Sequence, residues 1–145
     1  MIEAEIDAAV AALHAGKLVI LPTDTVYGLA AAPDEEPVRL LYRTKGRGEG
    51  QPTALVAATV EQLLERIPEL RGRAETIARA LLPGLYTLVL PNPARRYPWL
   101  NGGSPATIGV RVPALSGPGR QVLDRVGPLA ATSANLAGGS DPRTL

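Results

Sequence analysis

The stretch LPTDTVYGLA, residues 21–30, joins the end of an apolar run to a cluster of polar side chains. The run LVIL, residues 18–21, contains only large aliphatic residues and predicts a short buried β-strand. Two threonines, an aspartate, a tyrosine and a glycine follow within the next seven residues. Because ligands of open α/β sheets bind at the ends of strands, this stretch predicts a strand that leads hydroxyl groups into a binding site.

Apolar runs alternate with amphipathic segments along the chain, which predicts an α/β fold. Ile2, Ile6, Val10 and Leu13 share one face of a first helix, and Gly16 predicts its end. The further predicted elements are, in order, a helix capped by Asp34 that runs through residue 43, a strand at 53–58, a helix from the Thr59/Gln62 capping box to about Ile67, a helix at 70–82, strands at 86–90 and 107–112, a helix at 119–126 and a strand at 129–132. We therefore expect one domain with a twisted parallel or mixed β-sheet and helices on both faces.

Composition excludes several classes of protein. The 145 residues suffice for one domain with a real core, and the net charge of +1 argues against a protein that mainly coats nucleic acid. The chain has no cysteine, so disulfides and Cys-based zinc sites are excluded, and its one histidine, His14, lies in a predicted helix. No apolar run reaches the ~18 residues of a membrane span. We expect a cytoplasmic protein without membrane contact.

Four segments place hydroxyls, small residues or charges at the ends of predicted strands, where ligands bind in such sheets. They are PTDTVYG at 22–28, KGRGEGQP at 45–52, PGLYT at 83–87 and TSANLAGG at 132–139. The segment at 91–106 is polar and rich in Pro and Gly, and we expect it to be a surface loop without regular structure.

The segment KGRGEGQP carries two cations, Lys45 and Arg47, among glycines that keep the backbone accessible. Arginine binds phosphate oxygens with two parallel hydrogen bonds and lysine acts as a point charge, so the pair suits a polyphosphate. The spacing is not that of a Walker loop. A basic loop that simply faces water is the alternative interpretation.

The segment TSANLAGG places Ser133 and Asn135 directly after a short strand, and both side chains donate and accept hydrogen bonds. An ordinary turn followed by a helix cap is the alternative. No Ser-His-Asp triad is expected, because His14 lies in a distant predicted helix.

The segments resemble, in this order and spacing, the YrdC-like family, the threonylcarbamoyl-AMP synthases. LPTDTVYGLA resembles the first signature of the family, KGR followed by QP its K-x-R segment, and PGLYT its P-G-P-x-T; TIGVRVP (107–113) resembles its V-R-x-P strand and TSAN its S-x-N. The chain departs from the pattern at Gly48, Gln51 and Leu85, and at Val56, where long members carry a histidine. The resemblance also leads us to expect one YrdC-like domain over residues 1–145, without the C-terminal part of the usual domain.

The resemblance implies a concave, positively charged cavity and a nucleotidyl transfer. L-Threonine, bicarbonate and ATP, the last with Mg²⁺ on its phosphates, give threonylcarbamoyl-AMP for the modification of tRNA adenosine 37 by further tRNA-modification proteins. It assigns catalysis to Lys45 and Arg47. It assigns nucleotide binding to the same pair with Gln51, Thr87, Ser133 and Asn135, and threonine binding to Thr25, Arg111 and Ser133, with no protein metal site.

A second hypothesis keeps the fold but not the catalysis. In this hypothesis the domain binds nucleotide or double-stranded RNA, and Arg39, Arg43, Lys45 and Arg47 form a basic patch along one helix and the following loop. A domain selected only for electrostatic contact with RNA would not need Ser133 and Asn135, which favours the enzyme.

Overall fold

A computed structural model describes residues 3–22, 27–46, 51–101 and 103–133, with Ser133 described by its backbone alone. The predictions for Ile2, Thr25, Arg47 and Asn135 therefore lie outside the described residues. The helices are α1 (Glu3–His14), α2 (Glu35–Lys45), α3 (Val60–Arg66), α4 (Arg73–Leu81) and α5 (Pro118–Val126), with a 3-10 helix at Pro98–Asn101. The strands are β1 (Val19–Pro22), β2 (Tyr27–Ala31), β3 (Ala54–Val56), β4 (Leu88–Pro91), β5 (Thr107–Arg111) and β6 (Leu129–Ser133).

The six strands form one mixed sheet in the order β1-β2-β6-β3-β5-β4. Only β3 and β5 pair in parallel, and every other neighbouring pair is antiparallel. Strand β6 lies inside the sheet, where it pairs with β2 on one side and β3 on the other. The predicted mixed α/β sheet is confirmed.

Successive strand residues point to opposite faces of the sheet, and each face has its own apolar cluster. Leu55 and Ala130 belong to the larger cluster, which also contains buried residues of α2, α3 and the 3-10 helix. Val56 and Leu129 belong to the second cluster, together with residues of α1 and α5. The expectation of helices on both faces is therefore confirmed. Within the described residues, none of the helices combines the length and apolarity that crossing a membrane would require.

The predicted ends of two helices are confirmed in detail. After α1, the N–H of Lys17 donates to the carbonyl of Ala12 at 2.9 Å and that of Gly16 to Leu13 at 3.1 Å, with Gly16 at φ +79°. This is a Schellman ending, which needs the left-handed conformation that glycine adopts readily. At the start of α3, the Thr59 hydroxyl accepts the N–H of Gln62 at 3.0 Å. The Gln62 amide also donates to the carbonyl of Leu123 at 3.0 Å, which ties α3 to α5.

Three sequence predictions differ from the structure. Residues 27–31 form strand β2, which the sequence did not predict because glycine and alanine are poor strand formers. The strand is stabilised by its hydrogen bonds to β1 and β6 on either side. The predicted buried strand LVIL is β1 at the edge of the sheet, and its Ile20 is 45% exposed. Asp34 precedes α2 as predicted, but its side chain makes no capping hydrogen bond.

The segment 91–106 is more ordered than the expected irregular loop. Asn92 is 1% exposed, accepts the N–H of Arg96 at 3.1 Å and donates to the Arg96 carbonyl at 2.8 Å. The indole N–H of Trp99 donates to the carbonyl of Pro33 at 2.6 Å, and Leu100 is fully buried. These side chains hold the segment against the core. The sequence did not reveal this, because the composition of the segment does not show which of its side chains hydrogen-bond to the backbone.

Thr53 generates a prediction about stability. Its side chain is 4% exposed and its hydroxyl oxygen has no hydrogen-bond partner among the described residues. Burying an unpaired hydroxyl costs about 1–3 kcal/mol, so Thr53→Val, which keeps the shape, should raise the free energy of unfolding by about 1 kcal/mol. Urea unfolding of the two proteins measures this. A midpoint that falls in the valine variant would contradict the prediction.

Candidate functional site

One end of the sheet collects the residues that flank the polar segments. Pro22 pairs with Tyr27 across the β1–β2 hairpin, and Gly28 pairs with Ser133. On the other side of β6, Ala54 pairs with Ala131. The end of β1, the starts of β2 and β3 and the end of β6 therefore lie side by side, which places the flanks of PTDTVYG, KGRGEGQP and TSANLAGG at the same end of the sheet.

Helix α2 returns the chain to this end. Strand β2 has 5 residues and runs away from it, and α2 follows with 11 residues. At about 3.3 Å per strand residue and 1.5 Å per helical residue, both elements are about 16 Å long. The hydrogen bond from the Tyr42 hydroxyl to the carbonyl of Gln51, three residues before β3, agrees with the last turn of α2 lying near this end of the sheet.

Lys45 is not the exposed loop cation that the sequence predicted. It belongs to the last turn of α2, and only 5% of the residue is exposed. Gly46 ends the helix in the left-handed conformation, with φ +71° and ψ +24°. A lysine is buried only where a polar partner compensates its charge, so Lys45 is held in place, and its replacement will also lower stability. Arg47 lies outside the described residues.

Gln51 is attached to α2 through its backbone. The buried Tyr42 hydroxyl donates to the carbonyl oxygens of Gln51 at 2.8 Å and Leu100 at 3.2 Å. The Gln51 residue itself is exposed, so its side chain is accessible at the end of the sheet. Through this hydrogen bond, Tyr42 links the last turn of α2, where the segment KGRGEGQP begins, to Gln51 near the end of that segment.

Thr87 and Arg111 form a second group on the face of β4 and β5 opposite the larger core cluster. Leu88 pairs with Val110, so continuing the antiparallel register by one residue places Thr87 beside Arg111. Thr87 is exposed and Arg111 is partly buried. Val56, level with Arg111 on the neighbouring strand, packs into the second apolar cluster and contributes no polar group.

The two groups are separated along the sheet. Arg111 is level with Val56 and, through it, with Leu129. Ser133 lies four residues further along β6 and two strands away, so its backbone is about 16 Å from that of Arg111 at ordinary strand spacings. Lys45, Gln51 and the Ser133 backbone lie at one end, and Thr87 with Arg111 at the other. A ligand that contacts both groups must be elongated. The described side chains do not test the expected positive charge of a cavity.

A cavity of about 460 Å³ opens at the carboxyl ends of the parallel strands β3 and β5. None of the predicted site residues lines it, although Pro83 from PGLYT and Val112 with Pro113 from TIGVRVP do. At its rim, Arg79 donates to Glu61 at 2.9 Å, and this hydrogen bond lowers the pKa of Glu61 below its usual 4.5. The opposite charges of Arg79 and Glu61 therefore offset each other at the rim of the cavity. The sequence did not indicate this cavity because most of its lining residues are apolar. The one available signal was that two predicted strands, which form β3 and β5, could end at the same edge of the sheet.

Comparison with known proteins identifies the family. The profile of the Sua5/YciO/YrdC family, described as "Telomere recombination", matches residues 11–145. This chain belongs to that family. A threonylcarbamoyl-AMP synthase of Stenotrophomonas maltophilia (strain K279a) is 38% identical over 144 residues, which cover 95% of this chain and 75% of that protein. The resemblance seen in the motifs is confirmed.

A solved structure shares the fold over nearly the whole chain. P. abyssi Sua5 complexed with L-threonine superposes with a TM-score of 0.83 at 36% identity, covering 98% of this chain and 42% of that one. A protein of Mycobacterium leprae (strain TN) is 40% identical over 137 residues, which are 92% of this chain and 60% of that protein. The chain thus spans less than two thirds of the length of both proteins.

Proposed function

We propose that this protein makes threonylcarbamoyl-AMP from L-threonine, bicarbonate and ATP, as a step toward modification of adenosine 37 in tRNA. The observation that carries the proposal is that the residues next to three family motifs lie side by side at one end of the sheet. Thr87 and Arg111, from two further motifs, lie together toward the other end. Relatives named threonylcarbamoyl-AMP synthase and a structural relative with bound L-threonine support it. We treat residues 1–145 as one YrdC-like domain.

The reaction joins two substrates through a carbamate. The threonine amine attacks the carbon of bicarbonate, and loss of water leaves an N-carboxylated threonine. A carbamate oxygen then forms a bond to the α-phosphorus of ATP while the bond to the β-phosphate oxygen breaks, and pyrophosphate leaves. Such a transfer depends mainly on positioning and on neutralising the phosphate charge. An extended product, with a nucleotide at one end and an amino acid at the other, suits two polar groups about 16 Å apart.

The proposed roles follow the two groups. Lys45 and Arg47 neutralise the triphosphate at the sheet end, where the position of Lys45 is fixed by α2. Arg111 holds the threonine carboxylate, for which its fork of N–H donors is suited. Of the other predicted contacts, Gln51, Ser133 and Asn135 are proposed to bind the nucleotide at the Lys45 end. Thr87 is predicted from the sequence to bind the nucleotide, but it lies beside Arg111, so we propose that it contacts the amino-acid end of the ligand. Thr25 and Ser133 remain proposed contacts of threonine that reach it from the nucleotide side.

We propose that Mg²⁺ accompanies ATP on its phosphates. Over residues 3–22, 27–46, 51–101 and 103–133, no three His, Cys, Asp or Glu side chains are grouped so as to hold a metal ion. In nucleotide sites Mg²⁺ is usually held by one or two carboxylates together with substrate phosphates. The ion would offset phosphate charge beside Lys45.

The two motif cations, Lys45 and Arg47, can be tested against Arg43, a further cation in the last turn of α2. Lys45→Met keeps most of the apolar stem, and we expect it and Arg47→Ala each to weaken ATP binding by about 1–3 kcal/mol, the range for charge-assisted hydrogen bonds. Arg43→Ala, an exposed residue of the last turn of α2, should leave ATP affinity unchanged. Titration calorimetry below the melting temperature of each variant measures this. Unchanged affinity in both motif variants would remove the phosphate role.

The substrates are tested by direct incubation. With ATP, bicarbonate and L-threonine, chromatography should show pyrophosphate and the carbamoyl adenylate, and omission of bicarbonate should abolish both. Valine in place of threonine should give far less product, because a site that binds a hydroxyl is left with unpaired polar groups by an analogue without one. Equal product from valine and threonine would refute hydroxyl recognition, and no adenylate from any amino acid would refute the synthase activity.

The RNA-binding alternative loses support from the described side chains. The Arg39 guanidinium is bound to Glu35 at 2.6 Å, and Lys45 is buried at the end of α2 instead of lying on the exposed surface of the helix. A duplex lies across a surface and does not enter a site, so these two of the four cations are poorly placed for RNA, although a nucleotide inside the site can still reach Lys45. Each phosphate neutralised in a duplex contributes about 0.9 to the slope of log affinity against log salt. We expect weak binding to double-stranded RNA with a slope of about 2 or less and competition by ATP. Gel shifts at rising salt, with and without ATP, test this. Tight binding that resists salt and ignores ATP would favour the binding module.

A further inference from the structure

Gly109 stands in the middle of strand β5, where its presence has no local explanation. A glycine inside a strand weakens it relative to alanine, since the backbone loses more entropy on folding. Gly109 is not among the glycines with positive φ, so the backbone there does not require glycine. Its strand neighbours Ile108 and Val110 are both buried in the larger cluster, so Gly109 faces the opposite side of the sheet.

Packing does not require glycine either. A Cβ atom placed at Gly109 would lie 3.7 Å from the Cγ2 of Thr87 and 3.9 Å from the Cα of Ala54. Both distances are ordinary van der Waals contacts, and no other described atom lies within 4 Å of that position. An alanine would therefore fit without displacement of the described neighbours. What glycine preserves is space above the sheet that no described atom fills.

That space lies between two residues to which we assign substrate contacts. Thr87 lies diagonally beside Gly109, and Arg111 follows two residues later on the same face. Val89, directly opposite Gly109 on β4, is 67% exposed, so this part of the face is open to solvent. Glycine in a strand often marks the close approach of a ligand to the backbone.

We propose that Gly109 is a specificity-determining residue, a floor against which the amino-acid substrate lies while its carboxylate binds Arg111. This rests on the proposed synthase function and extends it to a residue that makes no polar side-chain contact. A side chain at position 109 would lift the amino acid away from the sheet. The nucleotide, which extends toward Lys45 at the far end, would be little affected.

The test compares Gly109→Ala and Gly109→Val with Ala106→Val, which adds two carbon atoms, between the one and three added at position 109, at an exposed position just before β5. We expect melting temperatures of the Gly109 variants at or above that of the wild type. The KM for L-threonine should rise at least tenfold in Gly109→Val and a few-fold in Gly109→Ala, while the KM for ATP stays within twofold. Ala106→Val should match the wild type in both.

The outcomes separate this inference from the proposed function. If the wild type makes no adenylate from threonine, the synthase proposal fails and the role of Gly109 fails with it. If the wild type is active and both folded Gly109 variants keep its KM for threonine, only the role of Gly109 is overturned. An equal rise in both KM values also overturns it, because that would indicate general distortion. Should Gly109→Val not fold, Gly109→Ala decides by the same criteria.

Discussion

The antiparallel pairing of β6 with both β2 and β3 is the interaction on which the rest of the structure depends. Without it the sheet would separate into the β1–β2 hairpin and the β3-β5-β4 unit. The same pairing sets the register Gly28–Ser133 on one side and Ala54–Ala131 on the other. Since the two partners run in the same direction, both begin beside the second half of β6. The end of the sheet where the motifs converge is therefore a consequence of backbone hydrogen bonding in the core.

Small residues allow the helices to approach this sheet closely. A Cβ at Gly119, near the start of α5, would collide with the carbonyl oxygen of Pro22, so only glycine permits this contact. Pro22 is the last residue of β1 and the last described residue before the TDTV segment. The close contact with Gly119 therefore fixes the position of the end of β1 relative to α5. Gly119 and Gly109 thus differ in kind: the first is required by contact with protein atoms, whereas the second leaves space that no described atom fills.

Much of the fold was predictable because its signals are local. Gly16 and the Thr59/Gln62 pair specify helix ends through backbone geometry and short-range hydrogen bonds, and both predictions are confirmed. Strand β2 was missed because its YGLAA sequence has little strand preference and owes its conformation to partners distant in sequence. The residues of the site could be predicted from the motifs, but their burial and the distances between them could not. That Lys45 would be buried, and that Arg111 would lie about 16 Å from Ser133, depends on helix length and strand register.

The charge distribution explains why recognition must come from these local arrangements. Arg96 binds Glu69 with two hydrogen bonds of 2.6 and 2.7 Å, which lower the pKa of that carboxyl, and Arg125 binds Asp7 at 2.7 Å across α1 and α5. Such exposed pairs contribute little to stability, but each cancels the field of its arginine beyond a short distance. With a net charge of +1, the protein has no strong long-range potential to attract a polyanion. A nucleotide would therefore be selected by cations that the fold holds at fixed points, and Lys45, buried at the end of α2, is the described residue that meets this condition.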